Sequence, residues 1–217
     1  MEETEADRVR KRPGMYLGGV DEECLHKLAD EILSNSMDEA VEGHATAIDI
    51  TLRNDGSLQI SDNGRGIPVD IHPRYDQSAL EVIFTQFRPR PFDEQKIRAH
   101  TGPVITINAQ VVNALSDWLW VEVVRQNEIY RTSFVRGKQV EKLKQIGSSK
   151  DRRGTTICFH PDPEIFREAT FKPDALYAMA RSKAHSYGGV EINWKCEPAV
   201  SDGETPNEDK FHFPNKF

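Results

Sequence analysis

Cysteine is scarce in this chain. Cys24, Cys158 and Cys196 are the only three among 217 residues. They lie far apart and without metal-ligand spacing, so reduced thiols are expected rather than a disulfide framework. No apolar run approaches the length of a membrane span, and the acidic, charged start is unlike a signal peptide. The expectation is a cytoplasmic protein with no membrane contact. A Gly-x-x-x-x-Gly-Lys-Ser/Thr stretch is missing, which excludes a conventional P-loop. The seven histidines never pair at metal spacing, and no Ser/His/Asp set stands out, so core or surface roles are expected for them. Positive charge is not in excess either: a formal net charge of -7 argues against a dedicated DNA-binding surface. Arg8, Arg10, Lys11 and Arg12 form the one tight basic cluster and read as a solvated turn.

What is present is a globular composition. With 37% hydrophobic and 29% charged residues the chain can bury a substantial core. It reads as one domain over 1–217, with 1–10 and 197–217 expected to be mobile because both are polar and without apolar periodicity. Strands and helices intermingle without regular βαβ alternation, which predicts an α+β fold with a mixed, largely antiparallel sheet covered by helices.

A helix is predicted from about Asp21 to Val41, where Leu25, Leu28, Ala29, Ile32, Leu33 and Ala40 form one apolar arc. Glu31, Asn35, Asp38 and Glu42 make a narrow acid-and-amide stripe on the flank of that arc. A solvated stripe would lie opposite the core and carry basic residues at i+4, so this one suits a helix lining a cleft. Gly43 is a plausible C-terminal cap. Ala47–Arg53 and Leu58–Ser61 alternate as strands around an Asn54-Asp55-Gly56 turn. The second strand runs into Asp62-Asn63-Gly64-Arg65-Gly66, whose two close glycines permit tight backbone geometry and close approach of a ligand. A plain hairpin turn is the alternative reading.

Further elements follow in order. Ser78–Phe84 reads as a helix with Ser78 and Glu81 as a capping box. Residues 87–103 read as a long loop and 110–115 as a short buried helix. Trp120–Arg125 and Ile129–Val135 form a hairpin about Gln126-Asn127. A strand opens at Gly154, a helix spans Pro173–Ser186, and a strand runs from Val190 to Lys195.

Helix and turn together hold the parts of a nucleotide site. Glu31 is placed to act as a general base on water. Asn35 offers an amide oxygen to a hard cation such as magnesium. Asp62, acceptor-only when ionised, can take a hydrogen bond from the exocyclic amine of a base.

Val9–Tyr16, Glu31–Ala40, Asp62–Val69, Val111–Ser116 and Arg152–Thr156 together resemble, in order, the motifs of the ATPase domain of bacterial type II topoisomerase B subunits. The resemblance covers about residues 8–195. Val69–Pro73 and Met179–Ala184 are more similar to the topoisomerase IV B subunit (ParE) than to the gyrase B subunit. It implies the GHKL (Bergerat) fold, an α/β sandwich with ATP bound between helices and one face of the sheet. It also implies ATP and Mg2+ as ligands, and adenine-site inhibitors as competitors. For the full-length protein it implies DNA, a ParC-like A subunit and an ATP-dependent homodimer as partners, the isolated domain being monomeric.

Carried over by this resemblance, Glu31 is the general base, and Asn35 the metal ligand. Asp62 binds the adenine amino group, with Thr155 completing that contact. Gly66 lies beside the adenine, with Ile67 following it. Glu39 and Arg65 pair at the pocket mouth, with Pro68 and Arg125 also there, and Asp38 supports the same helix. Ser34 stands where the family usually has aspartate.

The departure lies between residues 87 and 110. The family carries a glycine-rich lid over the phosphates there. This chain has Phe87–Phe92 and Gly102–Ala109, in which only Gly102 keeps the glycine pattern and 104–107 are β-branched. The expectation is intact adenine binding with weak or absent turnover. Two rivals are a non-catalytic relative that keeps the fold as a binding module, and a GHKL histidine kinase or chaperone. The Arg-Lys-Arg-Pro-Gly-Met-Tyr segment counts against the latter.

Overall fold

The structure, a computed structural model, describes residues 3–87 and 108–214. The expectations for the 88–107 stretch, including Gly102 and the β-branched run after it, lie outside the described residues.

In chain order the helices are α1 (Glu5–Lys11), α2 (Gly14–Leu17), α3 (Glu22–Val41), α4 (Ala79–Thr85), α5 (Ala109–Ala114), α6 (Pro163–Phe166) and α7 (Pro173–Ser186). The strands are β1 (Ala47–Leu52), β2 (Leu58–Asp62), β3 (Ser116–Arg125), β4 (Glu128–Val135), β5 (Lys138–Ser148), β6 (Gly154–Pro161), β7 (Glu191–Cys196) and β8 (Glu208–His212). All eight strands form one sheet in the order β5-β4-β3-β6-β2-β1-β7-β8. Every pairing is antiparallel except β1 with β7. This is the mixed, mostly antiparallel sheet that the sequence predicts.

The central helix starts where its cap chemistry allows. Asp21 accepts the Cys24 N–H at 2.9 Å, satisfying an orphan amide of the first turn. The helix stops at Gly43, whose N–H bonds the Ala40 carbonyl while the His44 N–H bonds that of Glu39, the Schellman pattern. Between the caps Leu25, Leu28, Ile32 and Leu33 are buried against the sheet. Ile48, Ile50, Leu58 and Ile60 meet them from β1 and β2. Each such side chain removed from water contributes roughly 1.5–3 kcal/mol. Ser78 and Glu81 form the expected capping box at α4, and Phe84 of that helix stacks on Phe134 of β4.

Three expectations are corrected. Within the start of the chain, residues 4–11 form α1 and its N-cap: Thr4 and Asp7 form its capping box, and Ala6 and Val9 are buried at i, i+3 spacing. The Arg8–Arg12 cluster is not merely a solvated turn, because Arg10 turns inward to Asp162. The tail beyond Glu197 adds a 3-10 turn (Pro198–Val200) and strand β8, anchored by buried Phe211 and by the Tyr177 hydroxyl on Asp209. Strand β5 has no counterpart in the pattern of the sequence. It is an edge strand whose side chains are almost all solvated, so no alternation marks it. The three cysteines are free and buried. Among the described residues no helix is long and apolar enough to cross a membrane.

Candidate functional site

Three segments converge where β2 ends. Strand β6 slots between β2 and β3, and α3 crosses above β2. Gly154 opens β6 at φ +109°, and a side chain there would run into the Asp62 carbonyl. Only glycine lets the two backbones pass this closely.

The Asp62 carboxylate is mostly buried and is gripped from three sides. Its Oδ1 accepts the Gly64 N–H at 2.9 Å and the Thr155 N–H at 3.4 Å, and its Oδ2 accepts the Ser36 hydroxyl at 3.2 Å. Burial pushes its pKa up, hydrogen bonds from Gly64, Thr155 and Ser36 oppose this, and the Glu39 charge adds to the rise. The net direction is upward. Every one of these donors is neutral, so the carboxylate is held by dipoles rather than by a salt bridge.

The turn after Asp62 is fastened equally well. Asn63 Oδ1 accepts the N–H groups of Thr46 and Ala47 at 2.8 and 3.0 Å. Gly66 has φ +76°, and a Cβ there would sit 3.0 Å from Val123 and 3.1 Å from the Val124 carbonyl. Arg125 Nη1 donates to the Gly66 carbonyl at 2.8 Å, and the Ile67 N–H donates to Thr155 Oγ1 at 3.2 Å. Pro68 is exposed, and its carbonyl accepts the Leu80 N–H at 3.1 Å. Thus Gly66, Ile67, Pro68, Arg125 and Thr155 border one loop.

At the rim, Arg65 donates Nε and its backbone N–H to Glu39 Oε2 at 3.2 and 2.9 Å, and Nη2 to Oε1 at 2.7 Å. A further bond from Nη2 reaches Glu42 at 2.6 Å. The Arg65 guanidinium is the main reason Glu39 is held below the usual carboxylate range.

Glu31, Asn35, Asp38 and Glu39 all project from α3. Glu31 is 4% exposed although it is a carboxylate, and Asn35 and Asp38 are half-buried. Buried acids of this kind are uncommon outside functional sites. Ser34 accepts Lys183 Nζ at 3.1 Å on the side of α7. Among the described residues no group of three or more His, Cys, Asp or Glu could hold a metal ion. The chemistry of an amide oxygen such as that of Asn35 fits a hard cation that keeps several waters.

Three donors to Asp62 were not assigned from the sequence. Ser36 carried a signal, since it falls on the apolar arc of α3 between Ile32 and Ala40 and is buried there. The backbone N–H groups of Gly64 and Thr155 carried none, because side-chain pattern does not report where amides point.

Comparisons with known proteins point to one family. A family described as "Histidine kinase-, DNA gyrase B-, and HSP90-like ATPase" matches residues 20–165. The B subunit of DNA topoisomerase 4 from Bartonella bacilliformis is 47% identical over 211 residues, covering 95% of this chain and 30% of that protein. The protein of the same name from Caulobacter vibrioides is 49% identical over 209 residues, with 95% and 30% covered. The chain therefore spans about 30% of the length of these relatives. Among solved structures, the 43K ATPase domain of Thermus thermophilus gyrase B in complex with an aminocoumarin superposes with a TM-score of 0.81. That likeness comes at 37% identity and covers 97% of this chain and 52% of that one.

Proposed function

We propose, for a chain that belongs to the family of histidine kinase-, DNA gyrase B- and HSP90-like ATPases, that the Asp62 cleft binds the adenine of ATP. We further propose that the whole protein is the ATP-hydrolysing B subunit of a topoisomerase IV. The observation that carries the nucleotide reading is the Asp62 carboxylate itself. It is mostly buried, fixed by three neutral donors instead of a cation, and set beside a turn with two close glycines.

In this reading Asp62 Oδ2 accepts the exocyclic amine of adenine, and the Thr155 hydroxyl completes the contact. Gly66 and Ile67 line the base, while Arg65, Glu39, Pro68 and Arg125 frame the mouth. Asp38 supports the same helix. Glu31, one turn before Asn35 on α3, takes the proton from an attacking water. Asn35 would hold magnesium through its amide oxygen. The ion, when bound, would neutralise charge on the phosphates. Turnover by this chain alone is slow or absent in this reading, because residues 102–109 keep only Gly102 of the glycines in the family's lid.

The relatives' printed names support the assignment of the whole protein. Coupling of ATP use to DNA strand passage, an A-subunit partner, a homodimer and cytoplasmic residence all belong to that assignment. The gyrase B subunit is the second reading, favoured by the gyrase B domain that superposes on this chain.

The test is calorimetric titration with ADP, a non-hydrolysable ATP analogue and an adenine-site inhibitor such as an aminocoumarin. The expected result is inhibitor and ADP binding that Asp62→Asn abolishes. Binding of none of the three by the wild-type chain would sink the nucleotide reading.

A further inference from the structure

Along β3 the side chains divide by face. Leu119, Val121 and Val123 are buried in the core with the helices, so Trp118, Trp120 and Glu122 point to the other side of the sheet. Register places Val135 and Arg131 beside them on β4, His160 and Cys158 on β6, and Gln59 beyond these on β2. Trp118, Trp120, Arg131 and His160 are half-buried, and Val135 is exposed. Arg131 lies over the Trp120 ring at 4.1 Å, and His160 stacks on Trp118 with ring centroids 5.9 Å apart. Tryptophan and arginine are the side chains that most often anchor protein interfaces. Here they meet on the face turned away from α3 and from the Asp62 carboxylate that α3 holds.

The charges of this face are out of balance. Burial pushes the Cys158 thiol up to about 11 while the Ser57 bond and the charges of Arg53 and Arg131 act against it, so both guanidinium groups stand near Cys158. Arg53 Nη1 donates to Gln59 Oε1 at 3.1 Å, and Arg131 rests on Trp120. Among the described residues neither is in an ion pair with a carboxylate. The acids nearby are already engaged: Asp55 by the Ser57 N–H and hydroxyl, Glu122 by Arg152, and Glu141 by Ser133 and Lys144. Lys144 of β5 stands directly opposite Arg131, and like charges facing each other across two strands are destabilising. Glu141 meets Lys144 at 3.4 Å on a solvated edge, where an ion pair offsets little.

We propose that this tryptophan-bearing face of β3, β4 and β6 docks an acidic, extended peptide segment of a partner protein. Carboxylates of the segment pair with Arg131 and Arg53, and an apolar side chain between them lies on Trp118 and Trp120. Trp120, Cys158 and Gln59 sit on three neighbouring strands, so the two guanidinium groups stand roughly 10 Å apart. An extended peptide covers that span in about three residues, and its side chains two and four positions apart share a face. The pattern that fits is therefore acid, any residue, apolar, any residue, acid. Charge also separates this partner from a nucleic acid. A short peptide meets the basic patch alone, whereas a long polyanion feels the whole chain, whose formal net charge is -7.

Tryptophan fluorescence reads this face directly, because Trp194, the third tryptophan, is buried and donates Nε1 to the Pro206 carbonyl. The probe is a blocked, tryptophan-free peptide repeating Glu-Ser-Leu-Ser, with its Lys-for-Glu copy and oligo(dT) as comparators. Wild type is expected to give a saturable change with the Glu peptide, at an affinity that falls as salt rises. Arg131→Gln is expected to weaken binding about fivefold. Lys144→Glu is expected to weaken it further, yet to unfold at the wild-type temperature or above, because it sets an opposite charge across from Arg131. A purely structural role for these residues would not move binding and stability in opposite directions. No saturable change, an equal response to the Lys peptide, or affinities unchanged in both variants overturns the proposal. Tighter binding of oligo(dT) overturns it in favour of a nucleic-acid surface. Self-association in sedimentation that Lys144→Glu abolishes overturns it in favour of a second copy of this chain.

Discussion

Arg10 and Asp162 stand 152 positions apart, yet Arg10 Nη2 lies 2.6 Å from the Asp162 carboxylate, which is fully withdrawn from solvent. Arg136 Nε shares the same oxygen at 3.1 Å, and the other oxygen caps α6 through the Glu164 N–H at 2.8 Å. Arg10 also donates to the Ala114 carbonyl at the end of α5. One carboxylate thus joins α1, α5, the β4–β5 turn and α6. Removing it leaves two guanidinium groups without their buried partner and α6 without its cap. We predict that Asp162→Ala lowers stability by about 3 kcal/mol in urea unfolding. A loss under about 1 kcal/mol would mean the arginines recover their hydration in place.

Gly154 offers a sharper backbone test. At φ +109° an added Cβ meets the Asp62 carbonyl and lies 2.9 Å from Asn63 Cα, both backbone atoms that cannot rotate away. Gly154→Ala should cost about 3 kcal/mol or more through strain and displacement combined. It should also weaken adenine-site ligands, because Thr155 carries one of the N–H groups on Asp62. Wild-type ligand affinity in a folded Gly154→Ala variant would contradict the close-approach argument.

Asp62 sets stability against binding. Its folded pKa is raised above the unfolded value, chiefly by burial. A carboxylate of this kind favours the folded state fully below the ordinary carboxylate pKa, and that contribution is lost as pH rises through the folded value. At neutral pH the ionised group therefore costs stability. Asp62→Asn is predicted to unfold at the same temperature as wild type or higher at pH 7, with the difference shrinking toward pH 4, while ligand binding is lost. Scanning calorimetry at several pH values checks this, and a marked fall in the unfolding temperature at pH 7 would refute it.

Glu81 runs the opposite way. Burial disfavours its charge, but bonds from Gln139, the Ser78 N–H, the Leu143 N–H and the Ser78 hydroxyl prevail and hold its pKa below the usual range. The stability it contributes is present above the unfolded pKa and is lost as pH falls through the folded one. Glu81→Ala should lower stability by about 2 kcal/mol at pH 7, with a smaller difference from wild type in acid. Because Glu81 links α4 to β5, amide exchange in 138–148 should quicken in the same variant. Unchanged protection there would show that β5 holds to β4 without this link.

The parts of the fold that were legible in the sequence are those with one wet and one dry face. Helix α3 showed its arc, caps and acid stripe, and α4 its capping box. The β3–β4 hairpin showed two residues, Gln126 and Asn127, that do adopt positive φ of 55° and 66°. Strand β5 was not legible because Gln139 and Leu143 are the inward contacts of an otherwise solvated edge. Helix α1 was hidden by its charge, having only Ala6 and Val9 to bury, and β8 by having only Phe211. In the candidate site, Asp62 and Glu31 could be picked out from residue type and spacing, whereas the Glu39–Arg65 pairing came from the family resemblance. Ser36 as a donor needed the packing of α3 on β2, and the Thr155 amide needed the register of β6 against β2, in which Ser61 faces Thr156.

That register has a consequence for how the chain assembles. Strands β2 and β3 never touch each other; each pairs with β6, made of residues 154–161. A nascent chain that ends before Gly154 can form the β3–β4–β5 meander and the β1–β2 hairpin, but only as two separate pieces with bare edges. Long-range closure of this kind slows folding and leaves strand edges available for mispairing until the last piece arrives. The grip on Asp62 is made in the same step, when Thr155 arrives on β6, so the hold on this carboxylate and the joining of the two pieces come into being together.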